Sequence, residues 1–78
     1  MKVRNINQNC TELLTTWGMV LFSYGVPVAA NTSGSWWRTE EHYSPTTSKH
    51  INGWFAQHGA TDVKPRPQKW FNDMDWNG

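Results

Sequence analysis

The segment SPTTSKHINGW, residues 44–54, holds most of the side chains in this chain that could take part in catalysis. Ser48, Lys49 and His50 could join Glu41 as a nucleophile and a base. A hydrolytic site also needs a group that orients the base and a donor pair for the oxyanion, and no motif here supplies them. We therefore expect no catalytic residues and no enzyme activity.

Metal binding is the next chemistry to consider, because His42, His50 and His58 recur at intervals of eight residues. Eight residues along a helix rise about 12 Å, which is too far for two ligands of one ion. The sequence therefore predicts no metal site and no cofactor. We interpret His50 as a structural side chain that bonds backbone or Tyr43 and covers the ring of Trp54.

The single cysteine, Cys10, excludes an internal disulfide and has no histidine near it in sequence, so we interpret it as an unreactive thiol. The longest apolar run, residues 19–22, is far shorter than the roughly 20 residues that cross a bilayer. Polar residues between the N-terminal cations and that run argue against a signal peptide. We expect neither export nor membrane association.

Net charge bears on nucleic-acid binding. Seven Lys and Arg against six Asp and Glu leave +1, which attracts a phosphate backbone weakly. Trp36, Trp37 and Arg38 nevertheless resemble a stacking platform, and Lys49 at a helix start could hold a phosphate. Glu40 follows directly and would repel phosphate. Single-stranded nucleic-acid binding therefore stays as the second interpretation.

Protein binding is the favoured interpretation. Six tryptophans in 78 residues are too many for a small core to bury completely. Exposed aromatic rings beside arginine are typical of binding hot spots. The predicted partner-binding residues are Trp36, Arg38, Glu40 and Lys49. The oligomeric state stays open.

A helix is predicted over residues 45–58. Ser44 suits the N-cap and Pro45 the first helical position. Gly59 follows as a C-terminal cap. Gly53 inside the helix predicts close packing of the helix against a hairpin. The apolar stripe of this helix consists of Thr47, Ile51, Trp54, Phe55 and His58.

Strand-like segments precede the helix. In residues 12–30 the even positions from Val20 to Ala30 keep one apolar phase, and Pro27 predicts an edge or a bulge. NTSGS, residues 31–35, predicts a hairpin turn. Residues 36–43 form a second strand, with Trp37, Thr39, Glu41 and Tyr43 facing inward and Trp36 and Arg38 outward. Residues 1–10 are a flexible arm or an edge strand.

The predicted fold is α+β, a small antiparallel hairpin or three-stranded meander packed against one main helix. After an extended connector with Pro65 and Pro67, Trp70, Phe71 and Met74 predict a short C-terminal helical turn. The chain reads as one domain of residues 1–78 with a docked tail at 61–78. The predicted core is Phe22, Tyr24, Val28, Trp37, Ile51, Trp54 and Phe55.

The order of these motifs resembles a family of small tailed-bacteriophage proteins. Its members carry a Tyr-x-x-Pro-Val-Ala strand, an Arg/Lys-Thr-Glu strand end and a Ser-x-Thr-Thr-x-x-His-Ile-x-x-Trp helix. The resemblance covers residues 22–74 and departs from the pattern at the doubled Trp36-Trp37 and at Gly53, where lysine is more typical.

The resemblance implies a small phage-encoded accessory protein in the host bacterial cytoplasm. It implies a non-enzymatic inhibitor or modulator that binds a host or phage protein. A minor virion component is the structural alternative.

Overall fold

A meander of antiparallel strands makes up most of a six-stranded sheet in the computed structural model, which describes residues 2–74. The meander consists of β1 (Lys2–Asn7), β2 (Cys10–Thr15), β3 (Gly18–Ser23), β4 (Val26–Thr32) and β5 (Ser35–Thr39). A short strand, β6 (Lys64–Arg66), pairs in parallel with β5. Within the same residues the helices are α1 (Pro45–His58) and α2 (Gln68–Asn72).

The α+β class predicted from the sequence is confirmed, but the sheet has more strands than the predicted hairpin or three-stranded meander. The sequence allowed either a flexible arm or an edge strand at the N-terminus. Residues 2–7 form the edge strand β1. The connector that was expected to be merely extended supplies β6 at the opposite edge. Residues 75–78 of the predicted docked tail lie outside the described residues.

Tight turns divide the segment that was expected to form one strand over residues 12–30. Tyr24 and Gly25 both have positive φ, 53° and 78°, as the two central residues of a type I′ hairpin turn do. Tyr24 is 53% exposed in this turn, so the expectation that it joins the core is wrong. The apolar alternation continues across the turn, so it did not predict a break in the strand. Tyrosine is also uncommon at positive φ, so Tyr24 did not indicate a turn.

Pro27 is accommodated by the bulge that the sequence predicted. Leu21 pairs with Ala29 and Phe22 with Pro27, which leaves Val28 as an extra residue in β4.

Each face of the sheet carries its own apolar cluster. The cluster under α1 is formed by Cys10, Leu21, Val28, Ala29, Ile51, Trp54 and Phe55. On the other face the buried residues are Leu13, Val20, Ala30 and Phe71. Of the predicted core residues, Phe22 and Trp37 are half-buried members of this second cluster.

The neighbouring Trp36 and Trp37 point to opposite faces of β5, as successive strand residues must. The Trp36 ring lies 5.4 Å from that of Trp54 under α1. The Trp37 ring lies 5.6 Å from that of Trp70 on the other face. The expectation that Trp37 packs under the main helix and Trp36 faces outward is therefore wrong. The inward face was chosen partly from Tyr43, which lies beyond the end of β5.

Helix α1 begins and ends where the sequence predicts. The Ser44 side chain accepts a hydrogen bond from the Thr47 amide, 3.2 Å away. At the other end Gly59 adopts the left-handed conformation, with φ of 64°. Gly53 is exposed, and a Cβ added to it would meet no atom within 4 Å, so the expected close packing there is wrong.

Strand β5 ends at Thr39, four residues before the predicted end of that strand. The Thr39 hydroxyl accepts from the Glu41 amide at 3.1 Å and donates to the Gln68 side chain at 2.8 Å. The chain from 40 to 44 is exposed. Glu41 and Tyr43 were expected to face inward and instead lie on the surface.

Candidate functional site

A pocket opens between the β3–β4 turn and the start of α1. Its volume is about 280 Å³. Tyr24 and Tyr43 line it and are 53% and 48% exposed, which places their rings at its rim. We call it the tyrosine pocket, and its lining residues are Ser23, Tyr24, Val26, Tyr43, Ser44 and Thr47.

Buried hydroxyl groups form the floor of the tyrosine pocket. The Ser23 and Thr47 hydroxyl oxygens are hydrogen-bonded to each other at 3.0 Å. Ser23 Oγ is also hydrogen-bonded to His50 Nδ1 at 2.8 Å, and Ser44 Oγ donates to Thr47 Oγ1 at 3.3 Å. Because these polar groups satisfy one another, a bound group can rest on the floor without replacing their hydrogen bonds.

The backbone of the β3–β4 turn positions the first rim tyrosine. The Tyr24 amide donates to the Asn9 carbonyl at 2.8 Å, which ties this turn to the turn between β1 and β2. The Tyr24 ring then lies 6.1 Å from the ring of His50 on α1. The turn and the first half of α1 therefore fix one wall of the tyrosine pocket.

The second rim tyrosine, Tyr43, directly precedes the N-cap Ser44. Burial raises the pKa of the Tyr43 hydroxyl, and the negative charge of Glu41 raises it further. The hydroxyl therefore stays protonated at neutral pH and remains a hydrogen-bond donor.

The contact between Ser23 and His50 has the length of a nucleophile–base hydrogen bond. Ser23 is only 2% exposed, and its hydroxyl is shared with Thr47. Within residues 2–74 no carboxylate is hydrogen-bonded to His50. A triad of the usual kind would need such a group to orient the imidazole.

A second polar centre surrounds Glu12, a carboxylate that is 2% exposed under α1. The Trp54 indole donates to Glu12 Oε1 at 2.7 Å, and His58 Nε2 is hydrogen-bonded to the same oxygen at 2.8 Å. Arg4 Nε lies 3.1 Å from Oε2. Glu12 thus links strands β1 and β2 to helix α1.

The pKa of Glu12 reflects two opposing effects. Burial raises it, whereas the hydrogen bonds from Trp54 and His58 and the charge of Arg4 lower it. The second group prevails, so the pKa of Glu12 lies below its ordinary value of 4.5. Glu12 is ionised at neutral pH and fully partnered.

Residues 1–73 match the model of a family described as a family of unknown function (DUF8033). The chain belongs to this family. No curated protein and no solved structure matches the chain.

The structure separates the four residues predicted to bind a partner. Trp36 packs under α1 against Trp54 and Phe55, and Arg38 is half-buried on the same strand. Glu40 and Lys49 are exposed. In the chain from 2 to 74 no hydrogen bond or ion pair joins any two of the four.

Sequence reasoning missed the tyrosine pocket. It placed Tyr24 and Tyr43 inside and left Ser23 unmentioned. One available signal was the spacing of Thr47 and His50, which lie three residues apart and so share a helix face. Their partner Ser23 lies 27 residues before His50, and only the strand order brings it there.

The other residues considered for chemistry lie apart from the tyrosine pocket. Cys10 is buried, and burial together with the charge of Glu12 raises the pKa of its thiol. His58 bonds Glu12 instead of joining His50. Among residues 2–74 there is no group of three metal-ligating side chains, and neither helix is long and apolar enough to cross a membrane.

Proposed function

We propose that this protein is a small phage-encoded accessory protein that binds a host or phage protein through the tyrosine pocket. It acts in the host bacterial cytoplasm as a non-enzymatic inhibitor or modulator. The observation that carries the proposal is the pair of exposed rings, Tyr24 and Tyr43, beside a pocket whose polar floor is already satisfied. The phage origin rests on the sequence resemblance of residues 22–74.

The distribution of exposed apolar side chains supports this location. Within residues 2–74 the exposed large hydrophobic residues are Val3, Tyr24 and Tyr43, and the two tyrosines line one pocket. Tyrosine is enriched in binding hot spots because its ring buries a large area while its hydroxyl stays hydrogen-bonded. The tyrosine pocket therefore has the composition of a protein-contact surface.

The size of the tyrosine pocket suits a single side chain of a protein partner. Its volume of about 280 Å³ falls just below the range of roughly 300–1,000 Å³ that is usual for small-molecule sites. It can receive one large side chain of a partner. The exposed Glu40 then remains a proposed contact outside the pocket, whereas Lys49 lies on the other side of α1 from the pocket and Trp36 supports α1 from beneath.

Affinity capture from phage-infected cells tests the proposal. Tagged wild-type protein should retain a partner that Tyr24→Ala and Tyr43→Ala lose at least about tenfold, because either change removes a rim ring. Val3→Ala is the matched control, since it truncates an exposed apolar residue on β1, and it should retain the partner. The melting temperature of each variant must stay close to that of the wild type. A partner retained equally by all variants would contradict the proposal.

Single-stranded nucleic-acid binding remains a second candidate because of one arrangement on the opposite face of the sheet. The Arg66 guanidinium lies 4.4 Å from the centre of the Trp37 ring and 5.6 Å from that of Trp70. Such Arg–aromatic surfaces also stack bases. Tryptophan fluorescence titration with a single-stranded oligonucleotide tests it, and affinity that falls by orders of magnitude between about 50 and 200 mM salt would favour this candidate.

A further inference from the structure

We propose that the tyrosine pocket takes a lysine or arginine side chain of the partner protein. This inference rests on the proposed function, because it names the group that enters the same pocket. It follows from the distribution of charge around the two tyrosine rings.

Unpaired negative charge lies next to the tyrosine pocket. Glu41 lies two residues before Tyr43 and Glu40 three residues before it, with His42 in between, and both glutamates are exposed. Neither forms an ion pair within residues 2–74. The charge of Glu41 contributes to the raised pKa of Tyr43, although burial is the larger cause. A cation entering here would therefore meet complementary charge.

Positive charge on α1 is directed away from the tyrosine pocket. Thr47 is buried and lines the pocket, whereas Lys49 lies two residues further on and is exposed. Two residues correspond to about 200° around a helix axis, so Lys49 projects from the opposite side of α1. His50 has its Nδ1 hydrogen-bonded to Ser23. The pocket lining itself contains no charged residue.

The shape and chemistry of the tyrosine pocket suit a long cationic side chain. Tyrosine rings attract Lys and Arg head groups that approach within about 6 Å of the ring centre. The aliphatic stem of such a side chain can pack against Val26 and the rings while its charged end stays at the rim. This protein already makes the same kind of contact elsewhere, where Arg66 lies over Trp37.

The start of α1 is the feature that would instead favour an anion, because free helix amides attract negative groups. Most of those amides are already used. Pro45 has no amide hydrogen, Thr47 N–H donates to the Ser44 side chain, and Ser48 N–H donates to the Ser44 carbonyl at 3.1 Å. An anion would also meet the charges of Glu40 and Glu41. The arrangement therefore favours a cation.

Selection from a displayed random-peptide library tests this inference. Peptides are selected on wild-type protein, and those that also bind Tyr43→Ala are discarded, so that the remainder depend on the tyrosine pocket. We expect these peptides to share a Lys or Arg whose replacement by Leu weakens binding at least about tenfold.

Substitution of Glu41 supplies the matched test on the protein side. Glu41→Gln should weaken binding of the same peptides several-fold at low salt, because it removes the complementary charge while keeping the side-chain shape. Asp62→Asn is the control, since it removes an equal charge beyond the far end of α1, about 21 Å of helix away. It should leave peptide binding unchanged.

The outcomes separate the two proposals. Pocket-dependent peptides that share an apolar or acidic residue and no basic one would overturn the inference and leave the proposed function standing. Equal loss of binding with Glu41→Gln and Asp62→Asn would also overturn it. If no selected peptide depends on Tyr43, both the inference and the proposed function are wrong.

Discussion

Glu12 shows at the scale of one residue how polar chemistry holds this fold together. Its buried carboxylate has partners on β1 and α1, so one side chain joins an edge strand to the main helix. A buried ion pair adds little net stability, but removal of one partner leaves the other charge unsatisfied. Glu12 is therefore a sensitive position although it lies outside the tyrosine pocket.

The first prediction concerns Glu12→Gln. The amide can still accept from Trp54, but Arg4 and His58 lose their charged partner, so the free energy of unfolding should fall by about 1–3 kcal/mol at pH 7. Arg4 is 46% exposed, which limits its share of this loss. Urea unfolding measures the effect. Asp73→Asn breaks an exposed ion pair with Lys69 and should change the stability very little.

The same variant carries a pH signature. Because the folded-state pKa of Glu12 lies below its ordinary value of 4.5, its stabilisation is complete above that value and is lost as the pH falls through the folded-state pKa. The stability difference between wild type and Glu12→Gln should therefore shrink on acidification below pH 4.5. A difference that stays constant down to pH 2 would show that the ionised form is not the source of the stabilisation.

The hydrogen-bond partners of individual residues were harder to predict from the sequence than the buried face of the helix. Glu12 and Ser23 each lie on a strand and gain hydrogen-bond partners from α1, 24 to 46 residues away. No local pattern encodes such pairs. Trp36 was placed outside because the inward face of the strand was chosen partly from Tyr43, which lies beyond the end of β5; Trp36 packs under α1 and Trp37 on the α2 side.

At the scale of elements, α1 was predictable because its signals are local. All of the signals that define α1 lie within residues 44–59, and each acts on its immediate neighbours. They are the N-cap, the first-turn proline, the apolar stripe and the terminal glycine. The meander was less predictable because its tight turns interrupt a continuous apolar phase. At Tyr24-Gly25 the turn lacks the Asn-Gly or Asp-Gly pair that usually marks it.

The second prediction tests the cap of α1. Ser44→Ala removes the acceptor of the Thr47 amide and should lower the free energy of unfolding by about 0.5–2 kcal/mol. Lys49→Ala is the control in the same segment, and it should leave stability nearly unchanged because exposed charges contribute little. Chemical denaturation of both variants checks this. Equal stability of Ser44→Ala and the wild type would contradict the role of the cap.

The third prediction follows from the open space around Gly53. Its added Cβ meets no atom within 4 Å, and the residue lies inside α1, so Gly53→Ala should raise the free energy of unfolding by about 0.5–1 kcal/mol. Thermal unfolding measures the gain. A lower melting temperature would mean that the surface at Gly53 is more crowded than the structure shows.

At the scale of the whole molecule, two clusters sandwich one sheet, and this arrangement explains how so short a chain accommodates its tryptophans. Trp36 and Trp54 pack on the α1 side, while Trp37 and Trp70 pack on the α2 side. The sequence indicated that a small core could not bury every tryptophan, and the structure distributes them over both faces of the sheet. The exposed aromatic rings beside the pocket are tyrosines instead.

The fourth prediction concerns the larger of these clusters. Trp54 is buried and donates to Glu12, so Trp54→Ala should cost about 3–5 kcal/mol, which approaches the whole stability of a domain this small. Near-ultraviolet circular dichroism should show a largely unfolded protein at 25 °C. Retention of the wild-type melting temperature would contradict the packing of α1 on the sheet.

The most direct test of the binding role is the dissociation constant of the captured partner for two proteins, the wild type and the double variant Tyr24→Ala/Tyr43→Ala. Loss of two hot-spot rings should weaken binding by about thirtyfold or more, equivalent to about 2 kcal/mol, while the melting temperature stays unchanged. Calorimetric titration measures both constants. Equal dissociation constants for the two folded proteins would contradict the assignment of partner binding to the tyrosine pocket.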